Sequence, residues 1–146
     1  STTFNAQQRT LGFQDAMKGA SVTVVGVQSG EWEIEKGNVV AAGMMREHPD
    51  LKALLAGNDN MALGAVAAVK AAGKTGKVAV VGYDNISAVK PLLADGRMLA
   101  TADQYGAKQA VFGIDIALKA IAAKTKQADL PATFKTDVVL VTKDSK

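Results

Sequence analysis

Residues 52–85 read KALLAGNDNMALGAVAAVKAAGKTGKVAVVGYDN. An apolar run, ALLA at 53–56, gives way at Gly57, Asn58 and Asp59 to a segment of alanine and aliphatic residues that ends at Gly73. A β-branched run, VAVVG at 78–82, follows after a short polar turn. Continuous apolar runs bounded by turn residues are strands covered on both faces. The alanine-rich stretch between them is a helix over 60–73, which Gly73 stops. Two antiparallel strands need only a tight turn, whereas a strand, a helix and a strand in about 30 residues make the unit of a parallel sheet.

The same alternation extends in both directions. Upstream, FNAQQRTLGFQDAMKG at 4–19 carries Leu11, Phe13 and Met17 at helical spacing, with Gly19 closing it. SVTVVGV at 21–27 reads as a strand. EIEKGNVVAAGMMREHP at 33–49 places Ile34, Val39, Met44 and Met45 near one helical stripe, and Pro49 ends the segment. Downstream, a short helix spans 86–94 and a strand 98–102. The longest helix spans 105–126, with Val111, Ile114, Leu118 and Ile121 forming its stripe. A last strand lies near 137–141. The expected fold is α/β: a three-layer helix/parallel sheet/helix sandwich of the flavodoxin-like, Rossmannoid kind. Loops are short and no repeat or linker divides the chain, so residues 1–146 form one unit.

Composition fits that reading. The chain has 146 residues, 48% of them apolar, enough for a core of its own. The formal charge of +3 is mild, and its basic excess gathers toward the end, at Lys119, Lys124, Lys126, Lys135, Lys143 and Lys146. With three arginines and seven aromatic residues, the chain lacks the basic and aromatic clustering of a nucleic-acid binder. The absence of cysteine removes disulfides, thiolate metal sites and thiol nucleophiles, and suits a periplasm and a cytosol equally. No run of 18 apolar residues is present, and the abrupt start at Ser1 suggests processing or truncation.

An open parallel sheet binds its ligands beyond the carboxyl ends of its strands. Those tips carry Gln28 to Trp32, then Asn58 and Asp59, then Tyr83, Asp84 and Asn85, then Asp103 and Gln104. Each has a purely local reading. Asp59, with Asn58 beside it, caps the helix at 60, and Asp84 or Asn85 caps the next one. Trp32 anchors a core or a surface, while Gln104 and Arg9 face water. Taken together they form a polar site with one aromatic face, suited to a neutral polyol or sugar. Asp84 accepts from two adjacent hydroxyls, and Asn58 and Gln104 both donate and accept. Arg9 adds charge-assisted donors, and Trp32 stacks on the C–H face of a ring.

Catalytic signatures are missing. Neither GxGxxG nor GxxxxGK[ST] occurs, nor the G-x-S-x-G elbow. His48, the single histidine, lies at the far end of a helix and reads as a surface or capping residue. Asp59, Asp84 and Asp103 leave a hard-cation site or a carboxylate pair as minor alternatives.

Four stretches also resemble one family in order and spacing: RTLGF at 9–13, GNDNMALGAVAAVKAAGK at 57–74, VVGYDN at 80–85 and PLLADGRMLATADQ at 91–104. The chain is similar to the C-terminal lobe of type I periplasmic sugar-binding proteins, the ribose- and galactose-type solute receptors of ABC importers. The resemblance implies a pentose or hexose held by Arg9, Trp32, Asn58, Asp84 and Gln104, with no catalysis, cofactor or metal. Glu31 and Asp103 are further carboxylates that tune which sugar fits. The implied location is the periplasm. The implied partners are an N-terminal lobe missing from this chain, an inner-membrane ABC permease and a chemoreceptor. Residues 133–146 then resemble the last crossover and final strand.

An isolated lobe of this kind would bind sugar weakly and tend to self-associate. The main alternative is the effector-binding domain of a LacI-type transcription regulator, which shares the fold. An enzyme on a flavodoxin-like sheet and a half that docks to a membrane partner are the remaining readings.

Overall fold

A computed structural model describes residues 3–131 and 133–145. Ser1 and Lys146, on which the readings of the chain start and of the basic tail touch, lie outside the described residues. The elements run α1 (Phe4–Met17), α2 (Ile34–Glu47), β1 (Ala53–Leu55), α3 (Asp59–Ala71), β2 (Ala79–Tyr83), α4 (Lys90–Ala94), β3 (Ala100–Asp103), α5 (Gly106–Ala122) and β4 (Val139–Val141). A 3-10 turn over Ser87–Val89 leads into α4.

The sheet order is β1-β2-β3-β4. β1 pairs with β2 and β2 with β3 in parallel, Leu54 lying opposite Val80 and Gly82 opposite Thr101. β4 pairs with β3 antiparallel, Thr101 opposite Val141, so the sheet is mixed at that edge. Helices flank the parallel strands as the alternation predicts. The core gathers Ala41 and Met45 of α2, Ala62, Ala65, Val66 and Val69 of α3, Leu54, Val80, Leu92, Leu93 and Met98. Along β2, Val80 and Gly82 are buried while Ala79, Val81 and Tyr83 are half-buried. That alternation is milder coverage than the apolar run suggested.

Helices α2 and α3 form the tightest pair, and glycine makes it so. Gly37 and Gly64 are both buried, and a Cβ on Gly37 would stand 2.8 Å from the Met61 backbone. Asn38 Nδ2 donates across the pair to the Gly64 carbonyl at 3.0 Å. This close approach sets the amino ends of the two helices, which carry Trp32 and Asn58, side by side.

Two expectations fail. Residues 21–27 form no strand: they run as irregular chain, with Val22, Val24, Val25 and Val27 all exposed. Strand propensity needs a partner edge to hydrogen bond with, and among the described residues none pairs with this segment. Among the described residues, the outer edge of β1 is likewise unpaired. The stripe on α5 is not core either. Val111, Ile114, Leu118 and Ile121 are between 60% and 72% exposed, and neither α1 nor α5 contributes a buried residue. Helical periodicity marks which face is apolar but not what covers it. Phe112 meets Phe134 edge-on at 6.2 Å, and Gln109 donates to Thr136, which ties α5 to the segment before β4.

Candidate functional site

The carboxyl ends of β2 and β3, the amino ends of α2 and α3, and one side chain of α1 converge. Arg9, half-buried on α1, is the hub. Its Nη1 donates to the Gly57 carbonyl at 2.6 Å and its Nη2 pairs with Asp84 Oδ1 at 3.0 Å. The guanidinium lies 3.9 Å from the Tyr83 ring centroid and 5.5 Å from that of Trp32. One side chain therefore links the loops after β1 and β2 to Trp32 and explains how an otherwise exposed helix is held.

Asp84 Oδ1 also accepts from Gln104 Nε2 at 3.0 Å. Its Oδ2 has no protein partner among the described residues. An open depression of about 300 Å³ is lined by Thr3, Asn5, Arg9, Trp32 and Asp84. The structure thus brings Arg9, Trp32, Asp84 and Gln104 together. Asn58 sits beside them, 7% exposed, and donates Nδ2 to the Trp32 carbonyl at 3.2 Å.

The roles of Asn58 and Asp59 as caps are exchanged. Asn58 is the N-cap of α3: its Oδ1 accepts from the Met61 amide at 2.9 Å, in extended backbone geometry. Asp59 is already helical and fully buried. Its Oδ1 accepts from the Thr101 hydroxyl at 2.7 Å and its Oδ2 from the Ile86 amide at 2.9 Å. Burial pushes its carboxyl above the ordinary value; the Thr101 and Ile86 hydrogen bonds oppose this, and the nearby Asp84 charge adds to it. Neither Asp84 nor Asn85 caps the following turn, whose N-cap is Ile86 with no side-chain cap bond. His48 does terminate a helix, as the backbone C-cap of α2.

A second pair runs beside Asp84 and Gln104. Asn85 Nδ2 donates to Asp103 Oδ2 at 3.0 Å, and the Tyr105 amide donates to Asp103 Oδ1 at 2.7 Å. These bonds, led by Asn85, hold the Asp103 carboxyl below its ordinary value. In both pairs the amide nitrogen is used, and the amide oxygens of Asn85 and Gln104 are buried without a partner. Glu31 instead faces outward and pairs with Lys36.

Strain collects here. Glu31, Trp32, Asp84, Asn85 and Tyr105 all have positive φ, with Asp84 at 113°. Sequence reasoning missed Tyr83 as a platform and Asp59 as a buried pin. A strand-tip tyrosine is a signal for the first. Nothing local distinguishes the second from a cap. No group of three or more His, Cys, Asp or Glu side chains could hold a metal ion among the described residues. Among the described residues, no helix is long and apolar enough to cross a membrane.

Comparisons with known proteins converge. Residues 1–125 match the model of the periplasmic binding protein domain. The D-ribose/D-allose-binding protein of Pseudomonas aeruginosa is 66% identical over 142 residues, which cover 97% of this chain and 44% of that protein. A crystal structure of an ABC transporter solute binding protein from Burkholderia multivorans superposes with a TM-score of 0.90 at 72% identity, over 97% of this chain and 49% of that one. Its unknown ligand is described as α-D-erythrofuranose. A periplasmic solute binding protein from Actinobacillus succinogenes with bound D-allose follows at a TM-score of 0.85 and 37% identity, over 94% of this chain and 48% of that one. The chain therefore spans about half the length of the relatives it matches.

Proposed function

The chain belongs to the periplasmic binding protein domain family, and from that premise we propose that it is the C-terminal lobe of a two-lobed receptor that delivers a monosaccharide to an ABC importer. One observation carries the reading: Arg9, Trp32 and Asp84, from three separate segments, line one depression, with Gln104 bonded to Asp84 and Asn58 bonded to the Trp32 carbonyl beside it. Arg9 and Gln104 occupy one oxygen of Asp84 and leave the other for ligand hydroxyls. Trp32 supplies the apolar face. Hydroxyls that leave water for such a site must find partners, so the site discriminates among sugars. A pentose or hexose fits this chemistry, in keeping with relatives named for D-ribose and D-allose.

The chain is a binding module and not an enzyme, like the proteins it matches. The periplasm is the location typical of its family. In this reading the exposed valines of 21–27 and the α5 stripe are the surfaces on which the rest of the receptor packs. The same surfaces favour self-association of the lone lobe. A permease of the inner membrane, and a chemoreceptor, would read the closed form. The LacI-type regulator alternative draws no support from these relatives.

The test is titration calorimetry with a panel of aldopentoses and aldohexoses, using the chain and its Asp84→Ala variant. Saturable binding that the variant loses supports the reading; no binding by the chain joined to its missing half refutes it.

A further inference from the structure

Asp59 performs no function in the site as read so far, yet its environment is costly. A carboxylate with no exposed surface forfeits its hydration, and burial pushes its proton affinity up. The amino end of α3 offsets part of that cost. A helix start needs none of this, because Asn58 already caps α3. What the carboxylate does hold is the turn after β2. Its Oδ2 takes the Ile86 amide, and its Oδ1 takes the Thr101 hydroxyl, whose oxygen in turn accepts the Asn85 amide at 3.3 Å.

The two residues bracketed by these bonds and by the end of β2 are Asp84 and Asn85, at φ values of 113° and 53°. Backbone of that kind persists only where its surroundings over-determine it. The close seat of the carboxylate requires glycine at 82, since a Cβ there would collide with Asp59 Oδ1. The Asp84 amide is held separately, by the Ala102 carbonyl at 2.8 Å.

We propose that Asp59 is a positioning residue of the ligand site: through Thr101 and the Ile86 amide it fixes the 84–86 turn, with Asp84 and Asn85 at positive φ, and so aims Asp84 at the depression. Asp59 touches no ligand. It acts on ligand affinity through the posture of Asp84, and this rests on the sugar-binding reading above.

The test separates the two ideas. Amide hydrogen exchange is followed by NMR in the unliganded chain, and D-ribose and D-allose affinities are measured by calorimetry. The variants are Thr101→Val, which is isosteric but removes the hydroxyl, Thr101→Ser, which restores it, and Asp59→Asn. In Thr101→Val, exchange at Asn85 and Ile86 rises about tenfold or more while amides in 65–69 of α3 stay protected, and Kd rises about tenfold. Thr101→Ser returns both to the parent values. Asp59→Asn, which keeps one acceptor oxygen, falls between. Unchanged exchange at 85 and 86 in Thr101→Val overturns the proposal, and so does faster exchange with unaltered Kd. A loss of protection throughout the chain assigns Asp59 to general stability and overturns it too. If the parent chain binds neither sugar, these sugars are ruled out as its ligands, and the exchange pattern alone decides whether Asp59 sets the turn.

Discussion

Replacing Gly64 by alanine has opposite expected signs in the isolated helix and in the folded chain. In a helix interior the change is favourable by about 1 kcal/mol. In the structure, a Cβ on Gly64 would collide with the Ile34 carbonyl oxygen and lie 2.6 Å from the Asn38 amide nitrogen and 3.1 Å from the Gly37 carbonyl carbon. All three are backbone atoms, so no rotamer change makes room. Helices α2 and α3 must separate, which stretches the Asn38 bond to the Gly64 carbonyl and loosens Ala41 and Met45 against α3. Overpacking of a core costs about 1–3 kcal/mol, and a lost buried hydrogen bond about 1 kcal/mol more. After the helical gain, the net destabilisation is about 1–3 kcal/mol. For a chain of this length that lowers Tm by roughly 2–12 °C. Urea melts followed by circular dichroism measure it, as a lower midpoint at constant slope. Because Trp32 and Asn58 sit at the amino ends of these helices, the Trp32 emission should also shift to the red. A Gly64→Ala chain as stable as the parent, or more so, would refute the close-packing argument.

Further predictions concern the site and the exposed surfaces. Asp84→Ala raises the sugar Kd by about 10²-fold or more, the worth of one to two hydrogen bonds to a charged group, while Tm falls by only a few degrees; calorimetry and thermal melts check both. Asp59 and Asp103 give opposite pH signatures. The Asp59 carboxyl is raised in the folded chain, so the fold binds the extra proton between the ordinary carboxylate pKa and the raised one, and stability falls as pH rises through that window. Asp103 is lowered, so its contribution is present above the ordinary value and is lost as pH falls through the folded one. Urea midpoints of the parent, Asp59→Asn and Asp103→Asn between pH 3 and 7 (on the order of the carboxylate range) separate them: the first variant gains on the parent as pH rises, the second loses. Substituting Ile114 and Leu118 together by lysine reduces self-association in sedimentation velocity with Tm nearly unchanged, since both side chains are exposed. Joining the chain to the N-terminal lobe of the proposed receptor tightens sugar binding by several orders of magnitude, because a ligand must be enclosed to gain from its polar contacts.

The sequence determined the order of elements and the chemistry available at the strand tips. Apolar runs at 53–56 and 78–82, separated by an alanine helix, leave little besides parallel strands with a crossover, and β1, α3 and β2 form there. The rule that ligands gather at carboxyl strand ends then pointed to Trp32, Asp84 and Gln104, and the fold brings these together with Arg9 of α1. What the sequence could not settle were matters of partner. The run at 21–27 has every strand preference, yet among the described residues no strand pairs with it. The α5 stripe is amphipathic yet lies open. The difference between Asn58 and Asp59 was also beyond local reading, because either side chain can cap a helix. Only tertiary contact, with Met61 for one and with Thr101 and Ile86 for the other, decided which caps and which is buried. Local chemistry fixes what a residue can do; distance in the folded chain selects which of those things it does.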